Sequence, residues 1–283
     1  MAMTVKTTQT PPGKHPLLTQ KQDGVTTLTM NTPGRLNGWT GEMLDALKEA
    51  FSAATRDDGT RVLVLTGADP YYCAGVNLSA TLRLGHPRTL HALIVEMNQA
   101  LFDMFLDFPK PLLVAVNGPA IGASVTSATL CDGIIASEKA TFSTPFAALG
   151  ITPEGCSSVQ FARLMSQANT EKMLGEGWKP TAAEALEAGL VQWLAPHDKL
   201  GEEAQRIARE WIATGATRSF RGGSGSDELK AVNASESVAL ADAFLSAPFL
   251  KGQFRFLWSR KKWGPAAMFL TMLISRPLWS RLL

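Results

Sequence analysis

Glu154 is the acidic side chain of this sequence best placed for proton transfer, because it lies in the apolar, small-residue segment 149–158. Two glycine-bearing segments precede it, at 72–78 and 116–123, and each has the pattern of a strand that ends in a turn. Such turns can expose backbone N–H groups. Two turns of this kind and one carboxylate are the parts needed to stabilise an enolate and to move a proton.

A structural role for Glu154 is also consistent with its neighbours. Thr152 has the side chain of a helix N-cap, Pro153 suits the first helical position, and an acid in the first turn interacts favourably with the helix dipole. The sequence therefore predicts a helix that opens around Glu154. A helix N-terminus would lower the pKa of this carboxyl, whereas apolar burial would raise it toward a value that suits a base. Both interpretations stay open at this point.

The composition is that of a folded globular protein. The chain has 283 residues, of which 45% are hydrophobic and 18% charged, enough for one large domain or two small ones. A net charge of +2 gives no support for nucleic-acid binding. Three cysteines without CxxC spacing indicate free thiols, and four scattered histidines indicate neither a metal site nor a Ser-His-Asp arrangement.

Hydrophobic periodicity predicts an α/β fold with ligands near the carboxyl ends of the strands. A strand over 26–30 is followed by a helix over 43–54, a strand over 61–67 and a long helix over 89–108. The further predicted elements are a strand over 111–116, a helix over 122–130, strands over 133–137 and 140–143, a helix over 181–190 followed by a short strand, and a flexible loop over 219–227.

Three segments together resemble the crotonase (enoyl-CoA hydratase/isomerase) superfamily. They are Ala74-Gly75-Val76-Asn77-Leu78, the strand and turn over 111–122, and the wording TAAEALEAGLV at 181–191. The resemblance implies an α/β fold, a crotonase-like spiral of ββα units with a C-terminal helical trimerisation region. It also implies an acyl-CoA thioester as substrate, a homotrimer, and no cofactor beyond the coenzyme A of the substrate.

The resemblance also assigns roles to residues. The amides of Val76 and Ala123 would form an oxyanion hole, and Glu154 would be the catalytic residue, with no metal. The implied substrate-binding residues are Cys73, Ala74, Gly75, Asn77, Leu78, Gly122, Phe146 and Leu149. From the residues alone, Gly75 could equally serve a tight turn, and Ala123 and Phe146 could serve core packing.

Two departures from the family pattern indicate a subtype. Thr126 and Phe146 stand where the hydratases of the family carry glutamates, and neither can transfer a proton as a carboxylate would. Glu154 matches the catalytic glutamate of peroxisomal-type Δ3,Δ2-enoyl-CoA isomerases, so isomerisation of 3-enoyl-CoA to 2-enoyl-CoA by a one-base shuttle is expected. The alternatives are another enolate reaction, such as a hydratase or C–C hydrolase, or a non-catalytic acyl-CoA or protein-interaction module. Asn77 replaces the usual aspartate of the motif.

Four regions are expected along the chain: a flexible tail over 1–16, the crotonase-like core over 17–200, a helical region over 201–262 and an apolar extension over 263–283. The extension is too short to span a membrane and would cover a neighbouring subunit or lie on a membrane surface. The tail lacks the apolar segment of a secretory signal. An intracellular location is therefore expected, in the peroxisome or the cytosol, with the mitochondrion as a further option.

Overall fold

The computed structural model describes residues 15–76 and 85–283. Predictions that concern residues 1–14 and 77–84, among them most of the N-terminal tail and the substrate-binding roles of Asn77 and Leu78, lie outside the described residues.

The main sheet contains six strands. In spatial order they are β1 (Leu17–Gln22), β2 (Val25–Met30), β3 (Val62–Gly67), β4 (Leu112–Val116), β6 (Gly133–Ser137) and β8 (Trp193–Ala195). β1 and β2 form an antiparallel hairpin, and every other neighbouring pair is parallel. β3, β4 and β6 are continuous apolar runs because helices cover both faces of the sheet at these strands.

A second, two-stranded sheet carries the turns of interest. β5 (Ala120–Ile121) pairs in parallel with β7 (Phe142–Ser143), and Cys73 forms a parallel bridge to Ala120. Three successive units therefore place one strand in the main sheet and the next extended segment in the small one: β3 with Cys73, β4 with β5, and β6 with β7. The repetition brings the turns after Cys73 and after β5 side by side.

Eleven helices complete the described part of the chain. They are α1 (Gly41–Arg56), α2 (Pro87–Leu106), α3 (Ala123–Thr129), α4 (Phe146–Leu149), α5 (Ser157–Met165), α6 (Gln167–Leu174), α7 (Ala182–Glu187), α8 (Leu200–Ala213), α9 (Ser226–Phe244), α10 (Ala247–Ser259) and α11 (Trp263–Trp279). Local signals explain several boundaries: Thr40 caps α1, and Thr181 with Glu184 forms a capping box at α7. The predicted α/β class is confirmed.

The main sheet has a different cover on each face. Alternate residues of β3 point to opposite faces of the sheet. Leu63 and Leu65 belong to the large core that includes α1 and α2, whereas Val62 and Val64 pack against α8. This alternation is the expected consequence of a strand period of two residues.

The C-terminal helices form a third apolar cluster with α2 and α9. Phe249 of α10 and Phe269 of α11 are fully buried in it. The apolar extension therefore packs against its own chain, but Ile274 and Leu278 of α11 remain 70% and 80% exposed. Among the described residues, no helix combines the length and apolar character needed to cross a membrane.

The segment before α9 is attached to the core, so the prediction of a flexible loop over 219–227 is wrong. Arg218 forms a buried ion pair with Asp132 at 2.7 Å, and its guanidinium also donates to the carbonyl oxygen of Leu130 at 2.6 Å. The backbone amide of Ser219 donates to the same Asp132 carboxylate at 2.6 Å. Residues 221–223 form a 3-10 turn, and α9 begins at Ser226.

We predict that Arg218→Ala lowers the free energy of unfolding by about 3–5 kcal/mol, because it leaves a buried carboxylate without its counter-charge. Urea denaturation followed by circular dichroism measures this loss. Arg206→Ala is the matched control: Arg206 pairs with Glu203 and Glu210 on the exposed face of α8, and its loss is expected to cost less than about 1 kcal/mol. Equal losses in the two variants would contradict the assignment.

Candidate active site

The first glycine turn is built around Gly75. Its backbone has a φ of +77°, and a Cβ atom there would lie 2.5 Å from the carbonyl oxygen of Ile121. The Gly75 carbonyl accepts a 2.8 Å hydrogen bond from the Trp39 amide, which fixes the turn from the other side. Only glycine fits this conformation and this approach of two backbones.

The second turn ends β5 and opens α3. Gly122 has a φ of +61°, and its amide donates to the Ser143 carbonyl at 2.7 Å. The Ser124 hydroxyl joins the two turns, since it accepts from the Ile121 amide at 3.0 Å and donates to the Cys73 carbonyl at 3.0 Å. The two turns are therefore held as one unit.

The amides of Val76 and Ala123 have no backbone acceptor among the residues that the structure describes. Ala123 is the first residue of α3, where an N–H group has no intrahelical partner. A Cβ atom on Gly75 would lie 3.8 Å from the Ala123 nitrogen, so the two turns present these amides close together. The role of these two amides as an oxyanion hole stays a prediction.

Glu154 lies before a helix and not in it, so the predicted capping role is wrong. Helix α5 begins at Ser157, and its N-cap is Cys156 in a left-handed conformation with a φ of +63°. The part of Glu154 that contacts the helix is its carbonyl oxygen, which accepts from the Ser157 hydroxyl at 2.7 Å. The carboxylate is thus free to serve a different purpose.

The Glu154 side chain borders a small, mostly apolar cavity of about 50 Å³. The other lining residues are Leu44 of α1, Val76 of the first turn, Ile94, Met97, Asn98 and Leu101 of α2, and Leu240 and Phe244 of α9. Glu154 and Val76 therefore face the same space. Leu44, Met97 and Leu101 also line a larger groove of about 700 Å³ between α1 and α2, so the cavity adjoins this groove, whose lining is partly apolar and partly charged.

Burial sets the protonation behaviour of Glu154. The residue is 7% exposed, and desolvation, reinforced by the charge of Glu236, raises its pKa from the ordinary 4.5 to about 8. Glu236 of α9 is itself buried. Its Oε2 accepts from the Cys156 amide at 2.6 Å, and its Oε1 accepts from the Ser158 amide at 2.9 Å.

Sequence reasoning missed two residues of this site. Asn98 lines the cavity, and its Nδ2 donates to the Ser237 hydroxyl at 3.0 Å. Glu236 lies in α9, and no local sequence pattern sets it apart from the other acidic residues of that helix. Only the contact between residues 80 positions apart, Cys156 and Glu236, distinguishes it from them.

The remaining predicted substrate-binding residues surround the turns. Cys73 is buried, and desolvation raises the pKa of its thiol to about 12, so it behaves as a packing residue. Ala74 is half-buried beside it. Phe146 is buried and Leu149 half-buried in the short helix α4, and neither borders the Glu154 cavity. Their substrate-binding roles stay predictions.

The two hydratase positions are occupied by non-acidic, buried side chains. The Thr126 hydroxyl donates to the Ala123 carbonyl at 3.2 Å. A Cβ atom on Gly155 would lie 2.6 Å from the Thr126 hydroxyl oxygen. Thr126 therefore sits directly against the turn that carries Glu154. Within residues 15–76 and 85–283, no three His, Cys, Asp or Glu side chains are grouped to hold a metal ion.

Comparison with known proteins identifies the family. Residues 20–264 match the family described as enoyl-CoA hydratase/isomerase. The chain belongs to the enoyl-CoA hydratase/isomerase family. It is 35% identical over 266 residues to enoyl-CoA delta isomerase 2 of Homo sapiens. The aligned region covers 88% of this chain and 65% of the relative. It is 31% identical over 261 residues to the peroxisomal enoyl-CoA delta isomerase 3 of Mus musculus, covering 87% of this chain and 79% of the relative.

A solved structure of this family confirms the crotonase fold. The enoyl-CoA hydratase/isomerase of Pseudoalteromonas atlantica T6c superposes with a TM-score of 0.71 at 26% identity, covering 87% of this chain and 97% of the other. The chain spans about two thirds of the length of the human relative, 65%.

We predict that Gly75→Ala destabilises this family member more than Gly177→Ala does. Both glycines have nearly the same φ, +77° and +76°, but Gly177 has no atom within 4 Å of an added Cβ, whereas Gly75 meets Ile121. The strain of a left-handed alanine is common to both, so the overlap should add about 1–3 kcal/mol to the loss at Gly75. Denaturant unfolding of the two variants measures the difference, and equal losses would refute the close contact between the turns.

A second prediction concerns pH. Because the pKa of Glu154 is raised to about 8 in the folded state, the folded protein keeps a proton that the unfolded chain releases above its ordinary pKa of 4.5. The unfolding free energy of the wild type should therefore fall relative to Glu154→Gln as pH rises from about 4.5 to about 8, by a few kcal/mol.

Chemical denaturation below, within and above this window measures the effect. Glu228→Gln is the control, because Arg163 lowers the pKa of Glu228 and that carboxyl does not titrate in the window. A difference between wild type and Glu154→Gln that stays constant with pH would show that the Glu154 carboxyl is not held protonated.

Proposed function

We propose that this protein is a Δ3,Δ2-enoyl-CoA isomerase that uses Glu154 as its single base. The ionised Glu154 removes a proton from C2 of a 3-enoyl-CoA, and the electron pair of the C–H bond passes into a dienolate. The amides of Val76 and Ala123 stabilise the thioester oxygen as it becomes negative. The protonated Glu154 then donates the same proton to C4, which leaves the double bond between C2 and C3.

The observation that carries the proposal is that Glu154 and Val76 border one cavity. A base and an oxyanion donor must act on the same thioester, with the base beside C2 and the donor at the carbonyl oxygen. The apolar lining excludes water, which strengthens the hydrogen bonds to the oxyanion. It also suits an acyl chain.

The pKa of Glu154 supports a role on both sides of the shuttle. Buried with a pKa of about 8, its carboxylate is a stronger base than an ordinary glutamate and still yields an acid able to return the proton. Glu154 is the only acidic residue that borders the cavity in the described part of the chain. One carboxylate suffices for isomerisation because the proton that leaves C2 is the one that arrives at C4.

Hydration is a less favoured reaction for this site. It needs a group that activates water, and the hydratase positions hold Thr126 and Phe146, both buried. The names of the human and mouse relatives also favour isomerisation. Coenzyme A would enter only as part of the substrate. The homotrimer and a peroxisomal or cytosolic location are part of the same proposal, the latter in line with the peroxisomal name of the mouse relative.

We predict that Glu154→Gln lowers the turnover of 3-enoyl-CoA by about 10²–10⁴-fold, because the amide keeps the shape of the side chain but cannot accept the C2 proton. The absorbance of the conjugated 2-enoyl thioester follows the reaction. Acyl-CoA binding of the variant should stay close to that of the wild type, and so should thermal unfolding below about pH 4.5, where the Glu154 carboxyl is protonated in the folded and the unfolded chain.

Parallel assays separate the alternatives. Isomerase activity that survives Glu154→Gln would refute the one-base shuttle. Conversion of 2-enoyl-CoA to 3-hydroxyacyl-CoA would indicate a hydratase instead. Acyl-CoA binding without turnover of either substrate would identify a binding module.

A further inference from the structure

We propose that Glu236 is the positioning residue of this site: from α9 it holds the backbone turn that aims Glu154 into the cavity, and it places a second buried acid beside that turn. The inference rests on the proposed role of Glu154 as the base. It assigns a function to a buried acid that lies outside the cavity and that no step of the shuttle uses.

The first argument is the geometry of the contact. Both oxygens of the Glu236 carboxylate are engaged, one by the Cys156 amide at 2.6 Å and one by the Ser158 amide at 2.9 Å. These amides follow Glu154 by two and four positions and form the N-terminus of α5. Hydrogen bonds from backbone amides to an ionised carboxylate are among the strong ones in proteins.

The second argument is that the turn has no cap of its own. Gly155 and Cys156 both have positive φ, +64° and +63°, and the Cys156 side chain makes no capping hydrogen bond to α5. The amides of Cys156 and Ser158 are instead satisfied by Glu236, which reaches them from α9. The direction of the Glu154 side chain therefore depends on a residue 80 positions beyond Cys156 in sequence.

The third argument is electrostatic. Two acids on the neighbouring helices act on this turn: Glu236 of α9, on both Glu154 and the Cys156 thiol, and Asp103 of α2, on the Cys156 thiol. Of these, only Glu236 acts on Glu154, where its charge adds to desolvation in raising the pKa. Asp103 is engaged elsewhere, as acceptor of a 2.9 Å bond from Asn233. Burial raises the pKa of Glu236 too, but its two amide donors oppose that shift and the helix dipole favours its ionised form.

Two substitutions separate the two parts of the role. Glu236→Gln keeps the length of the side chain but removes the charge and one of the two acceptor oxygens, so Glu154 should ionise at lower pH. Glu236→Asp keeps the charge but is one methylene too short to hold both amides. It should lower kcat by about 10-fold or more, with KM changed much less, because the base is misplaced while the substrate still binds.

The readout for charge does not depend on activity. The carboxyl resonance of Glu154, labelled with ¹³C and assigned by its loss in Glu154→Gln, is titrated by NMR in the wild type and in Glu236→Gln. The matched control is Glu228→Gln. Glu228 also lies on α9 and also contacts α5, through an exposed ion pair with Arg163. The control should leave the Glu154 titration unchanged.

Each outcome bears on the proposal separately from the proposed function. A titration midpoint in Glu236→Gln equal to that of the wild type overturns the electrostatic part. Wild-type kcat in Glu236→Asp overturns the positioning part, and this variant also serves if Glu236→Gln does not fold. A wild type without isomerase activity would refute the proposed function, while the NMR titration would still decide whether Glu236 controls Glu154. Lower stability alone, with an unchanged midpoint and unchanged kcat, would identify a merely structural cap.

Discussion

The contact between two backbones, at Gly75 and Ile121, is the constraint on which the site depends. No side chain can separate the two turns, because a Cβ atom on Gly75 would lie 2.5 Å from the Ile121 carbonyl oxygen. The sheet topology makes this contact possible, since each turn follows a short segment paired in the small sheet. Ser124 then ties the turns together through its hydroxyl. The positions of the Val76 and Ala123 amides are thereby set by the backbone, as preorganised donors of the proposed oxyanion hole would need to be.

The site contains two buried carboxyl groups, those of Glu236 and Glu154, and their surroundings differ. Both Glu236 oxygens accept from backbone amides, and these hydrogen bonds oppose the rise in pKa that burial causes. Glu154 borders the apolar cavity, and its burial there raises its pKa. An apolar pocket that would be costly around a permanent charge is suited to a group that alternates between charged and neutral forms.

Much of the fold could be predicted because its signals are local. Residues close together in sequence form each signal, as in the apolar runs of β3 and β4 and the capping box of α7. β1 was missed because its polar, exposed residues lack a strand pattern. At the site, the glycines and Glu154 were found from type and spacing, but Thr152 and Pro153 suggested a helix start that the structure places at Ser157. The left-handed Cys156 and the distant Glu236 explain that shift, and both depend on tertiary contacts.

The arrangement of α9 has a consequence for the order in which the protein becomes active. Residues 226–244 supply Glu236 as well as Leu240 and Phe244 of the cavity lining, yet they lie far downstream of Glu154 in the chain. Until this helix docks, the Glu154 turn is uncapped and open to water, and its carboxyl would titrate like that of an ordinary surface glutamate. During synthesis the candidate site is therefore complete only after α9 has emerged and packed. Local undocking of α9 in the folded protein would remove Glu236 from the Glu154 turn and open the cavity while the sheet remained folded.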